Sequence, residues 1–158
     1  MSLLDFFNWC YATPVGEAIR NSAWLFPVIE AFHLVGLGVL AGSVLVVEMR
    51  LMGVGLTQQP LAQIAASAQP FLIGSLIVMF ATGIPLFLSE SIKAYYSFAF
   101  WVKMASLFLV LLYTFTLRRR ITAAKAAYPQ PGTAKMLAIL SLTLWFGVAW
   151  GGRWIGFS

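Results

Sequence analysis

FPVIEAFHLVGLGVLAGSVLVV, residues 26–47, is as apolar as a membrane span, yet it carries Glu30 and His33. Glu30-Ala31-Phe32-His33 places the single histidine of the protein three residues after a carboxylate, so the two side chains share one helical face. A span needs about 20 apolar residues, and this run is long enough to supply them. Ionisable groups are expensive in such a helix and usually face a bundle interior, a cavity or a cofactor.

Composition extends that reading to the whole chain. Of its 158 residues, 61% are hydrophobic and 9% charged, with a mean hydropathy of +0.88, so too few polar side chains exist to cover a soluble globule. The expected fold class is all-α: a four-transmembrane-helix bundle preceded by short amphipathic interfacial helices at about 2–20. The expected spans are about 23–51, 70–89, 98–117 and 136–155, in one integral membrane domain. Cys10 is the only cysteine, which excludes an internal disulfide or a thiolate metal cluster.

The N-terminal stretch lacks Lys or Arg before Arg20 and has no small-residue cleavage site after an apolar core, so it is not expected to be a secretory signal. Leu3, Leu4, Phe6, Phe7, Cys10 and Tyr11 follow the spacing of an amphipathic helix, and Ser2 with Asp5 resembles a capping box. This segment is expected in the interface with Trp9 and Tyr11 at headgroup depth. Thr13-Pro14 then opens a second short helix running to about Arg20.

Gly38 and Gly42 form a GxxxG pair on another face of the first span, Gly38 lying about 140° around the helix from His33. Either a close helix contact or a chance match accounts for it. Residues 56–68 read as a polar-tinged connection that could hold an interfacial helix. Gly83-Ile84-Pro85 predicts a kink in the second span. Lys103 lies inside the third span, which Arg118-Arg119-Arg120 stops, and Arg153 lies near the end of the fourth.

Arg50, Arg118, Arg119, Arg120, Lys125 and Lys135 flank or fill two connections, against Glu48 alone. The positive-inside rule makes those connections cytoplasmic and puts both termini on the opposite, outer side. The net charge of +5 then reflects topology and attraction to anionic lipid, and nucleic-acid binding is not needed to explain it.

Counting along the helices places His33 roughly 13 Å below Trp24 and Lys103 roughly 8 Å below Phe98, with Glu30 and Arg153 near the same surface. Opposite charges at like depth are expected to pair, so Glu30 should meet Lys103 or Arg153. Two readings of His33, Glu30, Lys103 and Arg153 stand side by side. One is a structural network with snorkelling cations. The other is an outward-opening pocket with His33 as metal ligand or proton carrier and the cations holding an anionic group.

The blocks Ala18-Ile19-Arg20, Trp24-Leu25-Phe26-Pro27, Glu30-Ala31-Phe32-His33-Leu34-Val35-Gly36, Phe100-Trp101-Val102-Lys103-Met104 and Gly152-Arg153-Trp154-Ile155 resemble a family of small bacterial four-helix membrane proteins of unassigned function. The likeness covers nearly the whole chain. A remoter similarity, limited to a first-span His and a third-span Lys, points to the four-helix membrane protoporphyrinogen oxidases and the membrane domain of copper-resistance proteins. It implies haem b or copper handling through positions like His33 and Lys103. The chain departs from those relatives late in the third span, where they carry a further histidine and this sequence has Tyr113-Thr114-Phe115-Thr116.

Three functional classes follow. The first is a haem-binding redox or electron-transfer protein, with His33 as one axial ligand and Met79, Met104, water or a second chain as the other. The second is a non-catalytic membrane subunit or scaffold, as a homo-oligomer or within a larger complex. The third is a small transporter or proton relay, which the absence of an internal repeat disfavours. There is no phosphate loop, nucleophile elbow or HExxH motif, and one histidine cannot build a conventional zinc site.

Overall fold

The structure is a computed structural model that describes residues 2–123 and 128–157. Its elements are helices α1 (Leu3–Tyr11), α2 (Pro14–Asn21), α3 (Leu25–Met52), α4 (Leu61–Tyr96) and α5 (Phe98–Tyr113), a π-helical turn (Thr114–Arg118), α6 (Arg119–Ile121) and α7 (Pro131–Ile155). Among the described residues four helical stretches, Leu25–Met52, Leu61–Tyr96, Phe98–Ile121 and Pro131–Ile155, are long and apolar enough to cross a membrane. The chain is thus an all-α bundle with four candidate spans, as its composition predicts.

Helix pairing follows the small residues. α3 packs on α4, and α5 on α7, while α3 against α7 joins the two hairpins. The buried positions of α3, namely Gly36, Leu40, Ser43, Val44, Val47, Glu48 and Leu51, recur at the helical period and make its inner face. In α7, Gly147 and Gly151 let the backbone of α5 approach. A Cβ at Gly151 would lie 2.7 Å from the Ala99 carbonyl oxygen, and one at Gly147 would lie 2.6 Å from Ser106 Oγ. Gly38 and Gly42, by contrast, have nothing within 4 Å of where a Cβ would stand. The GxxxG pair that mediates close packing inside this chain is therefore Gly147 with Gly151, and the one in α3 faces outward.

The helix bounds differ from expectation chiefly in α4. It runs unbroken through residues 61–69 and through both Pro70 and Pro85, so the connection after α3 is confined to residues 53–60. Its non-helical backbone falls at Glu90 (φ −124°, ψ 23°), five residues after Pro85 rather than at the Gly83–Pro85 interruption. The arginine of α2 explains how the distortion is tolerated. Arg20 donates from Nη1 to the carbonyls of Ser89 (3.2 Å) and Leu88 (3.5 Å), and from Nη2 to that of Tyr11 (2.8 Å). Its guanidinium also stacks 3.6 Å from the centre of the Tyr11 ring.

Both N-terminal helices form where the sequence places them. Ser2 and Asp5 make the reciprocal capping box, whose two hydrogen bonds hold the exposed Asp5 carboxyl below its ordinary range, the backbone bond from Ser2 contributing most. Thr13 caps α2 ahead of Pro14. They do more than lie at an interface, because Phe7 is buried among Phe87, Tyr95, Phe100 and Trp101, and the Phe7 carbonyl accepts from Ser91. α1 and α2 thus lock the aromatic end of the bundle, where α4 turns into α5. Cys10 is buried in that lock, and its burial pushes the thiol up.

The opposite, basic end holds a core of Val47, Leu51, Leu61, Ile64, Ala68, Ala134 and Ala138. A second apolar layer of Leu40, Val44, Leu72 and Leu76, with Met79, Leu111, Leu142 and Trp145 against it, fills the middle.

Candidate functional site

His33 points at α4 and not at lipid. Its Nδ1 lies 2.8 Å from Thr82 Oγ1, and Thr82 Oγ1 in turn donates to the Val78 carbonyl at 2.6 Å. A hydroxyl has one proton, and here the Val78 carbonyl takes it. In the tautomer with the proton on Nδ1, Thr82 accepts from His33 while donating to Val78, and the Nε2 lone pair is free. A histidine held this way by a second residue is the form that binds a metal or accepts a proton. Gly83 makes the approach possible, since a Cβ there would lie 3.2 Å from the ring Cε1.

Lys103 reaches the same region from α5. Its stem runs along Gly151 and Gly152 of α7, and Nζ lies 3.5 Å from the place of a Gly152 Cβ. Its charge acts on the His33 ring. The glycines thus have a second use beyond packing, because they give a half-buried lysine a path along a neighbouring helix.

The other two expected members stand apart. Glu30 is exposed on α3, and no ion pair joins it to Lys103 or Arg153. It does not orient His33 either, a task that Thr82 performs. Arg153 is exposed with its guanidinium 4.8 Å from the centre of the Phe157 ring. The expected pairing fails for a rotational reason: Glu30 and His33 share a broad helical face, yet that face is wide enough to put one on α4 and the other outside.

A polar cluster that the sequence reading did not anticipate lies near the basic end. Glu48 and Arg118 form the one ion pair among the described residues, with Arg118 Nε 3.8 Å from Glu48 Oε1. The same oxygen accepts from Ser141 at 2.8 Å. Both charges are buried in the bundle, whereas their sequence positions suggest flanks of the connections. Their mutual cancellation leaves Arg50, Arg119, Arg120 and Lys135 at that end without an acidic partner among the described residues. Lys125 lies outside the described residues. The sequence signal that could have found the pair is the spacing of Glu48 from Leu40, Val44 and Leu51, which puts it on the buried face of α3.

Among the described residues no three His, Cys, Asp or Glu side chains converge to hold a metal ion. Two open depressions of about 360 Å³ and 350 Å³ are also found at the basic half, one between α3 and α4 beside Gly42, Ser43 and Phe71, the other beside Arg50, Tyr128 and Lys135. Neither includes His33.

Fold and site together define a small protein with four candidate membrane spans and a histidine hydrogen-bonded between two of them. The chain belongs to a family described as "Family of unknown function (DUF6644)", whose model matches residues 6–158. Neither a curated protein nor a solved structure matches it.

Proposed function

We propose that this protein binds haem b through His33 and serves as a redox or electron-transfer protein of the bacterial inner membrane, with both termini on the outer side. The observation that carries the reading is the 2.8 Å contact between His33 Nδ1 and Thr82 Oγ1, which in the Nδ1-protonated tautomer leaves Nε2 able to ligate a metal. Lys103 would face an acidic group of the bound molecule, since it has no carboxylate partner among the described residues. Met79, half-buried one turn from Thr82, is the nearest sulfur on the facing helix to serve as a second ligand. Haem supplies a one-electron couple, and the residues of this chain hold the ring orientation, offer the lone pair and balance charge. Protein purified in mild detergent from haem-replete cells should show a Soret band that His33→Ala abolishes without loss of membrane insertion. A preparation with full haem supply and no band would end this reading.

One observation favours a second reading, a non-catalytic subunit of a homo-oligomer or larger complex. The Gly38–Gly42 face of α3 is open, which suits close docking of another helix. In that case stoichiometric partner chains would co-purify, and Gly42→Ile would release them.

A further inference from the structure

The cluster around Glu48 is independent of His33 and contains more polar atoms than the protein can satisfy. Glu48 Oε2, Tyr113 OH, Thr114 Oγ1, Arg118 Nη1 and Trp145 Nε1 are all buried without a hydrogen-bond partner. They come from four elements, namely α3, α5, the π turn and α7: Arg118 pairs with Glu48, Tyr113 and Thr114 stand at the start of the π turn that carries Arg118, and Trp145 lies one helical turn from Ser141, the Glu48 partner on α7. At about 100° per residue an α-helix would place Arg118 roughly 140° away from Tyr113. A π turn closes at i+5, so its added residue brings Arg118 beside Tyr113, while Thr114, four residues before Arg118, shares its face in either geometry. Glu48 and Arg118 both act electrostatically on Tyr113.

We propose that this cluster is an internal hydration site that binds about two or three water molecules and lets Glu48 exchange a proton with the basic end of the bundle. The match of donors and acceptors selects the ligand class. Arg118 Nη1 and Trp145 Nε1 only donate, Glu48 Oε2 accepts, and the two hydroxyls do either. An added cation would face Arg118, an added anion would face Glu48, and an apolar molecule would leave all five atoms bare. Water both donates and accepts, and polar buried sites of this kind commonly hold it.

The proton step is simple to balance. A site water gives a proton to Glu48 Oε2, the resulting hydroxide is reprotonated through the next water from the basic end, and Arg118 keeps its charge. The cluster thereby passes from neutral to a single positive charge. Arg118 and Tyr113 are the charged and titratable groups that face Glu48. α7 contributes Ser141 and Trp145, and the α4 residues in the adjoining cores, Ile64, Ala68 and Leu72, are apolar. The route outward is short, because Arg118 leads directly into α6, where Arg119 and Arg120 are exposed.

Infrared difference spectroscopy on the intact protein in liposomes, stepped between mildly acid and mildly alkaline buffer, tests this. The result expected is a carboxylic C=O band that shifts in D₂O and disappears in Glu48→Gln, together with O–H bands that shift in ¹⁸O-labelled water. Tyr113→Phe and Thr114→Val each delete one bare atom without stranding a charge, and each should shift those water bands even if Glu48→Gln does not insert. Asp5, Glu17 and Glu30 are exposed and Glu90 is half-buried, so the loss of the band in Glu48→Gln is what assigns it to Glu48. No band sensitive to ¹⁸O water, or a Glu48 signal unchanged across the buffer range, would overturn the proposal. Loss of haem binding has no bearing on either signal.

Discussion

Gly151→Ala should destabilise the bundle while Gly38→Ala leaves it unharmed, although both are glycines of GxxxG pairs. A Cβ at Gly151 would stand 2.7 Å from the Ala99 carbonyl oxygen, 2.9 Å from Lys103 Cβ and 3.1 Å from Lys103 N. Those atoms belong to, or sit on, the α5 backbone, so relief requires moving a helix. Overpacking of that kind costs about 1–3 kcal/mol. Replacing a helical Gly by Ala returns about 0.5–1 kcal/mol in water, and less where the unfolded reference is itself helical. The net loss at Gly151 is therefore about 0.5–2 kcal/mol. At Gly147 the closest atom is Ser106 Oγ, the tip of a side chain that can rotate, so the same change should cost less. At Gly38 and Gly42 nothing lies within 4 Å, and the change should be neutral or slightly favourable. Equilibrium unfolding in mixed detergent micelles, followed by tryptophan fluorescence, measures the series, because Trp145, Trp150 and Trp154 all sit on α7. If Gly151→Ala proves as stable as Gly38→Ala, the assignment of the close α5–α7 contact to these glycines is wrong.

Five further outcomes are expected. Thr82→Val removes the hydroxyl partner of His33 Nδ1 and should cost about 1–3 kcal/mol, measured in the same unfolding assay, with a weakened Soret band if haem is bound. Glu48→Ala leaves Arg118 buried and unpaired and should cost about 3–5 kcal/mol, whereas the joint change of Glu48 and Arg118 to Met should recover most of that loss; equal damage by both would show that the pair is not the source. Arg20→Met deletes three carbonyl bonds and the Tyr11 stack, so limited proteolysis should cut between α2 and α3 sooner than in the wild type, while cleavage at unchanged rate would remove Arg20 from the lock. Cys10 should resist maleimide in the folded protein from either side of the membrane, since it is buried, which makes it a reporter of unfolding and not of topology. Its raised thiol also sets a sign: the stability it contributes is complete below the ordinary thiol range and is lost as pH rises through the folded value, so Cys10→Ala should flatten the alkaline side of the stability profile.

The sequence by itself determined what depends on local pattern and on solvent preference. Apolar runs fixed four helices, Ser2 with Asp5 and Thr13 with Pro14 fixed two caps, and the cost of an imidazole in hydrocarbon pointed His33 inward. Each of these follows from a few neighbouring residues or from the chain's average polarity. What needed tertiary structure was rotation and partnership between helices. Which GxxxG pair packs was settled by whether another backbone stood opposite, and two glycines four residues apart carry no record of that. Thr82 took the place expected for Glu30 because the neighbour of His33 lies on α4, forty-nine positions away in sequence. Glu48 and Arg118 looked like charges at the ends of spans, yet a π turn rotated Arg118 into the bundle to meet Glu48. A one-residue change in helical period has no marker in the composition of Thr114–Arg118, and it moves a charge from the rim to the core.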